Sequence, residues 1–150
     1  MSIHFSYALI IIFLVTMSTP SQTRAQNVSQ LSQCPNSPNC VSSKAPSSDT
    51  EHFIEPFTLK MNASTAWPFV LKVLQEQPRT QIKEVTNGLI QAEVTSLIFR
   101  FTDDITLLLN EKNQTIDIRS ASRVGYSDLG VNRKRVATLR KILQQAQVIK

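Results

Sequence analysis

Asn87-Gly88 separates two runs, Thr80–Thr86 and Leu89–Thr95, in which apolar and polar side chains alternate. Alternation with period two is the mark of a half-buried strand, and Asn-Gly between two such runs is the strongest short signal for a hairpin. A hairpin with one apolar face cannot stand alone, so the rest of the chain must supply a partner layer. Ile90, Ala92 and Val94 share one face of the second run, whereas Leu97, Phe99 and Phe101 fall on the other parity. A bulge or strand break near Ser96 is expected from that switch.

The partner layer is readable on either side of the hairpin. Phe53–Lys60 reads as a strand. Ser64 reads as the N-cap of a helix to about Gln77, with Pro68 tolerated in its first turn. Trp67, Val70, Leu71 and Leu74 mark its buried face, and Pro78 ends it. Asp103-Asp104 precedes a further strand, Ile105–Leu109, and Lys112-Asn113 turns the chain into Thr115–Arg123. A last helix, about Arg133 to Gln147, carries Val136, Leu139, Leu143 and Ala146 as its stripe, with Ile142 in support. The expected fold is α+β, an antiparallel sheet of about five to six strands with two main helices packed on one face. The order is helix-grip-like, an arrangement that often encloses a ligand cavity.

Upstream of this domain (residues 52–150) the chain changes character. No acidic or basic side chain other than His4 occurs from Met1 to Thr23, and Tyr7–Met17 is nearly all apolar. This run suits a signal-peptide core and is short for a membrane span. Residues 1–25 are therefore read as a signal peptide cleaved after Ala25, or as an N-terminal membrane anchor. Either way the remainder is expected to be exported, to the periplasm or cell envelope. Residues 26–51, rich in Ser, Asn, Gln and Pro, read as a linker holding Cys34 and Cys40, the only two cysteines. In an oxidising compartment such a pair closes a disulfide loop. The alternative is a reactive thiol, Cys40 with His52. Two Cys and one His fall short of the usual four zinc ligands, so no metal is expected.

Charge is unevenly distributed along the chain. Residues 119–150 hold eight Lys or Arg against one Asp, a balance of +7, while residues 26–118 hold seven against ten, a balance of −3. The basic end concentrates in RSASRVGYSDLGVNRKR, residues 119–135. Alternation places Ser120 and Ser122 on the face of Ile116 and Ile118, and Arg119 and Arg123 on the other. Gly125 and Gly130 bracket a loop holding Ser127 and Asp128. Asn132 reads as the N-cap of the last helix, which puts Arg133, Lys134 and Arg135 in its first turn. The helix dipole opposes cations there by a few tenths to about 1 kcal/mol each, so the charge needs an answer.

Two answers are open. Asp103, Asp104 and Asp128 can neutralise the arginines in an internal network. Alternatively Arg119, Ser120, Ser122, Arg123, Ser127, Asn132, Arg133 and Arg135 form a corner that receives an external anion through guanidinium forks, hydroxyls and helix amides. Simple solvation of the charge is the third reading.

SPNCVSS (37–43), FRFTDD (99–104) and RSASRVGYSDLGVNRKR, in that order, resemble the family catalogued as domain of unknown function 1499. The resemblance spans roughly residues 34–145 and implies a domain rather than an activity. Its motif positions fall on Cys34, Cys40, His52, Asp103, Asp104, Arg119, Ser120, Ser122, Arg123, Gly125, Ser127, Asp128, Gly130, Asn132, Arg133 and Arg135.

The function expected from these observations is a non-catalytic binding or accessory module of the cell envelope, without a cofactor. Its partner is a small anion or a lipid head group, with membrane association if the N-terminus is uncleaved. Nucleic acid is not expected, since few aromatics near the basic run can stack on bases. A hydrolase- or transferase-like enzyme using a serine (Ser120, Ser122 or Ser127) or Cys40 with His52 is the alternative. A purely structural Arg–Asp lock on the last helix is the other.

Overall fold

A computed structural model of the protein describes residues 30–150. The expected signal peptide or anchor, residues 1–25, and the start of the expected linker lie outside the described residues. Eight elements follow in order: β1 (Cys40–Ser42), β2 (Phe57–Thr58), α1 (Ala63–Gln75), β3 (Thr80–Val85), β4 (Leu89–Thr95), β5 (Thr102–Asn110), β6 (Thr115–Ser122) and α2 (Val131–Gln145). The strands form one antiparallel sheet in the order β1-β6-β5-β4-β3, with β2 also paired to β6. The fold is α+β, as its alternating runs and two amphipathic stretches require.

One sheet face is apolar because its alternation is kept in register across β4, β5 and β6. Ile90, Leu107 and Ile118 make one row, and Ala92, Ile105 and Ser120 the next. Trp67, Val70 and Leu74 of α1 and Val136, Leu139 and Leu143 of α2 cover this face in a single core. Trp67 also donates its indole N–H to the Thr86 carbonyl, 3.0 Å away, tying α1 to the β3–β4 turn. That turn is the expected hairpin. Thr86 N–H donates to the Leu89 carbonyl across Asn87-Gly88, and the Thr86 hydroxyl accepts from both Gly88 and Leu89.

Several boundaries differ from the expected ones. Helix α1 starts at Ala63 after Asn62, so Ser64 lies inside its first turn and is not the N-cap. Pro68 then falls in the second turn, where it lacks an N–H for the Ser64 carbonyl; Ser64 is exposed, so water can serve that carbonyl. Helix α2 starts at Val131 after Gly130, whose φ of 75° is left-handed, and Asn132 is inside the helix rather than its N-cap. The sheet also reaches past the expected domain start at residue 52. Cys40–Ser42, assigned to the linker by composition, pairs with Ser120 and its neighbours on β6. Composition missed it because a three-residue strand carries no periodicity.

The break after Thr95 is real, but its consequence differs from a simple change of face. Ser96 N–H bonds the Phe101 carbonyl, closing a short loop, and Leu97, Ile98, Phe99 and Phe101 are exposed in it. Strand β5 begins at Thr102, so Asp103 and Asp104 do not precede the strand but lie within it. Past α2, Val148 and Ile149 are buried, and Lys60 and Lys150 exchange backbone bonds with Val148 and Thr58. The chain end is thereby held beside β2.

Leu107 is fully buried at the centre of the core. Leu107→Ala should destabilise the domain by about 2–5 kcal/mol, read from urea unfolding followed by the fluorescence of the single Trp67.

Candidate functional site

Strand alternation decides where each member of the basic motif goes, because consecutive side chains on β5 and β6 leave opposite faces of the sheet. Asp103 and Ser122 are directly opposed in register, as are Ile105 and Ser120, on the helix-covered face. Asp104, Arg119 and Arg123 leave by the other face.

On the helix side these residues form a closed hydrogen-bonded cluster. Asn132 is 1% exposed and stands at the head of the α2 stripe that continues into Val136, Leu139 and Leu143. Its side-chain oxygen accepts from the Ser120 hydroxyl at 2.6 Å and from Arg135 Nη1 at 2.5 Å. Its amide nitrogen lies within bonding distance of the Asn39 carbonyl (3.0 Å), Ser122 Oγ (3.1 Å) and Asp128 Oδ2 (2.8 Å). Arg135 also donates through Nη1 to Ser120 Oγ at 3.1 Å and through Nη2 to Asp103 Oδ2 at 2.6 Å. The two side chains of that ion pair are 17% and 6% exposed. Buried polar groups are tolerable only when partnered, and every member here has a partner.

Asp128 supplies the N-terminal cap that Asn132 was expected to give. Its carboxylate accepts from the N–H groups of Gly130 at 2.9 Å and Asn132 at 2.7 Å. A carboxylate on these amides is the charge the helix N-terminus favours. Asn39 connects this cluster to the cysteine loop. Its carbonyl also accepts from Ser122 N–H, and its side chain donates to the Gly125 carbonyl at 2.5 Å. Asn39 was not singled out from the sequence, although it lies inside SPNCVSS. An amide with no charge and no periodic neighbour gives no signal until the fold puts it next to Asn132.

The remaining cations go elsewhere. Arg123 pairs with Asp104 at 2.8 Å and Glu93 at 2.5 Å on the open face of the sheet, where Lys83 joins Glu93 at 3.2 Å. The Asp104 and Glu93 hydrogen bonds raise the Arg123 pKa, and Arg123 followed by Lys83 lowers that of Glu93. Arg119 lies beside them, its Nε buried without a partner; burial pulls its pKa down and the Asp104 charge partly offsets this. Arg133 points to a third place, donating to the backbone carbonyls of Thr50, Glu51 and Phe53. Ser127 is exposed and accepts only from Leu129 N–H in its own turn. The eight expected anion-binding residues therefore do not converge on one corner. Ser120, Ser122, Asn132 and Arg135 meet, Arg119 and Arg123 are across the sheet, and Arg133 and Ser127 stand apart. Of the expected acidic partners, Asp103 and Asp104 pair with arginines and Asp128 serves amides instead.

Cys34 and Cys40 form a disulfide, so the proposed Cys40–His52 thiol pair is replaced by a bonded loop. His52 is buried beneath that loop. Its Nδ1 is 2.7 Å from Asp49 Oδ2 and its Nε2 is 3.2 Å from the Ser37 carbonyl. Both ring nitrogens thus face acceptors. Burial alone lowers the His52 pKa, but the Asp49 bond, the Ser37 carbonyl and the nearby carboxylates outweigh it, and the net direction is upward.

The model of the family described as protein of unknown function (DUF1499) matches residues 30–143. The chain belongs to the DUF1499 family. No curated protein and no solved structure matches it.

A cleft in the DUF1499 domain opens next to the Asn132 cluster. About 320 Å³ in volume, it lies between the end of α1, the start of α2 and the sheet. Leu74, Val94, Ile105, Ile118, Val136 and Leu139 give it an apolar floor. Arg79, Lys134 and Arg135 also line it, and no acidic residue does. Arg135 is committed to Asp103, but Lys134 has no ion-pair partner among the described residues. Arg79 uses only its Nε, which donates to the Thr95 carbonyl at 3.0 Å. Sequence reasoning missed Arg79, which lies forty residues from the basic motif, and passed over Lys134 within it. Neither has a local signature of pocket lining.

Two measurements check this geometry. Asp103→Asn should cost up to about 3–5 kcal/mol in urea unfolding, because it leaves the partly buried Arg135 charge without its counter-ion, whereas Arg123→Ala at the exposed pair should barely move the midpoint. For His52, a raised pKa means that its stabilisation is complete below the unfolded value of about 6.5 and is lost as pH rises through the folded value. The melting-temperature gap between wild type and His52→Gln should therefore narrow as pH is raised from acid through neutrality.

Proposed function

We propose that this DUF1499 domain is a non-catalytic binding module of the cell envelope that takes an anionic amphiphile. The carboxylate or phosphate head sits against Arg79 and Lys134 and the apolar tail lies in the cleft between α1 and α2. The observation that carries this reading is the pairing of an apolar floor with a rim of cations and no acid. The volume falls within the range of about 300–1,000 Å³ usual for small-molecule sites. Apolar burial supplies affinity there, and cations freed from internal pairing supply orientation.

The reading moves the anion from the corner expected within residues 119–135 to the adjoining cleft, because Arg135 and Asn132 are engaged internally. The fully buried Ser120 and the disulfide-bonded Cys40 leave no support for the serine or thiol chemistry those two residues were considered for. The apolar run at residues 7–17 and the disulfide, a bond that persists in oxidising compartments, support an exported position.

Thermal unfolding with decanoate, decanol and butyrate tests the proposal. Decanoate should raise the melting temperature by several degrees, reaching about 2.7 kcal/mol of stabilisation at a hundredfold excess over its dissociation constant. Butyrate lacks the tail and decanol the charge, so each should do much less. The double variant Arg79→Glu, Lys134→Glu should lose the decanoate effect, while Arg133→Ala keeps it. Equal stabilisation by decanol, or a full decanoate effect in the double variant, would refute the reading.

A further inference from the structure

Of the ten large apolar side chains exposed among the described residues, seven lie in two loops, 96–101 and 123–130, and an eighth, Val131, opens α2 directly after the second. Leu97, Ile98, Phe99, Tyr126 and Leu129 are between 72% and 86% exposed. The strand register brings the two loops to the same end of the sheet. Thr95 pairs with Thr102, Asp103 pairs with Ser122, and Arg123 N–H bonds the Thr102 carbonyl. Phe99 and Phe101 stack on each other with ring centroids 5.6 Å apart, so they present one aromatic surface instead of turning into the core. Large apolar side chains concentrated at one end of a domain mark an interaction surface.

We propose that these paired loops insert into the interfacial region of an anionic lipid bilayer and dock the domain on it. Charge selects the partner. The first loop reads Ser-Leu-Ile-Phe-Arg-Phe, with Arg100 as its only charge, exposed between the two phenylalanines. The single acid of the second loop, Asp128, is turned onto the amides of Gly130 and Asn132. Exposed Arg79 and Lys134 flank the same end, so apolar tips are ringed by cations, the arrangement that suits acyl chains beneath negatively charged head groups. The docking inference goes beyond the cleft reading and does not depend on it, although Val131, next to the second loop, also lines the cleft.

The test uses the full chain carrying Phe99→Trp, whose only other tryptophan, Trp67, is buried and bonded at the opposite, β3–β4 end. The probe is vesicles of equimolar phosphatidylglycerol and phosphatidylcholine, with brominated phosphatidylcholine as quencher. The introduced indole should emit as a water-exposed group without lipid, then shift to the blue and be quenched by the brominated chains when vesicles are added. Adding Arg100→Glu should weaken this titration about tenfold, as expected when one favourable cation near an anionic surface is reversed. Emission that is already blue without lipid would show the loops covered by protein, whether a second copy or residues 7–17, and would overturn the proposal. So would an indole left unquenched by bound vesicles, or a titration indifferent to Arg100→Glu. The readout is local to the loop, so it stands whatever decanoate does in the cleft.

Discussion

The Arg135–Asp103 ion pair is the contact on which this end of the molecule depends. Asp103 stands on the core face of β5, where the neighbouring positions, Ile105 and Leu107, are aliphatic. A carboxylate there is costly unless a cation meets it, and α2 brings one. Once Arg135 is drawn in, its second nitrogen lies on Asn132 and Ser120, and Asn132 in turn binds Asn39 and Asp128. Helix, sheet, cysteine loop and glycine-bracketed turn are joined through that one side chain. Such a network rewards a single register, since a slip of one residue on β5 would turn Asp103, Ile105 and Leu107 together to the open face.

The polarity of the core is graded along the strands for the same reason. Ile90, Leu107 and Ile118 form a wholly aliphatic row, Ala92, Ile105 and Ser120 a mixed one, and Val94, Asp103 and Ser122 the last. Helix α2 follows this gradient with Leu143, Leu139 and Val136, then Asn132. The apolar rows hold the fold together, and the polar row orients the helix start. The cleft lies at this transition, which is why its walls are aliphatic while its rim is cationic.

The two exposed loops occupy the same end, beyond the polar row. Their apolar side chains have no core to enter, because the row beneath them is already filled by Asp103, Ser122, Asn132 and Arg135. Core, polar lock, cleft mouth and apolar tips thus succeed one another from the middle of the sheet to its end.

Much of the framework was legible in the sequence. The Asn87-Gly88 hairpin, the stripes of both helices, the cysteine pair and the division of Ser120 and Ser122 from Arg119 and Arg123 all follow from local periodicity or local turn chemistry. Sequence alone also showed that the helix dipole opposes the positive charge at the start of the last helix, whatever the partner. Only the tertiary structure decided which of those cations meets a carboxylate. Asp103 and Asp104 are adjacent in the chain yet leave opposite faces of β5, so one reaches the partly buried Arg135 and the other the exposed Arg123. Arg133, two residues from Arg135, turns to the carbonyls of a distant loop. Ion pairing depends on which faces the strands and the helix turn towards each other, and nearness along the chain carries no information about that. The cleft, built from Arg79, Lys134 and six core side chains on five separate elements, exists only once those elements are packed.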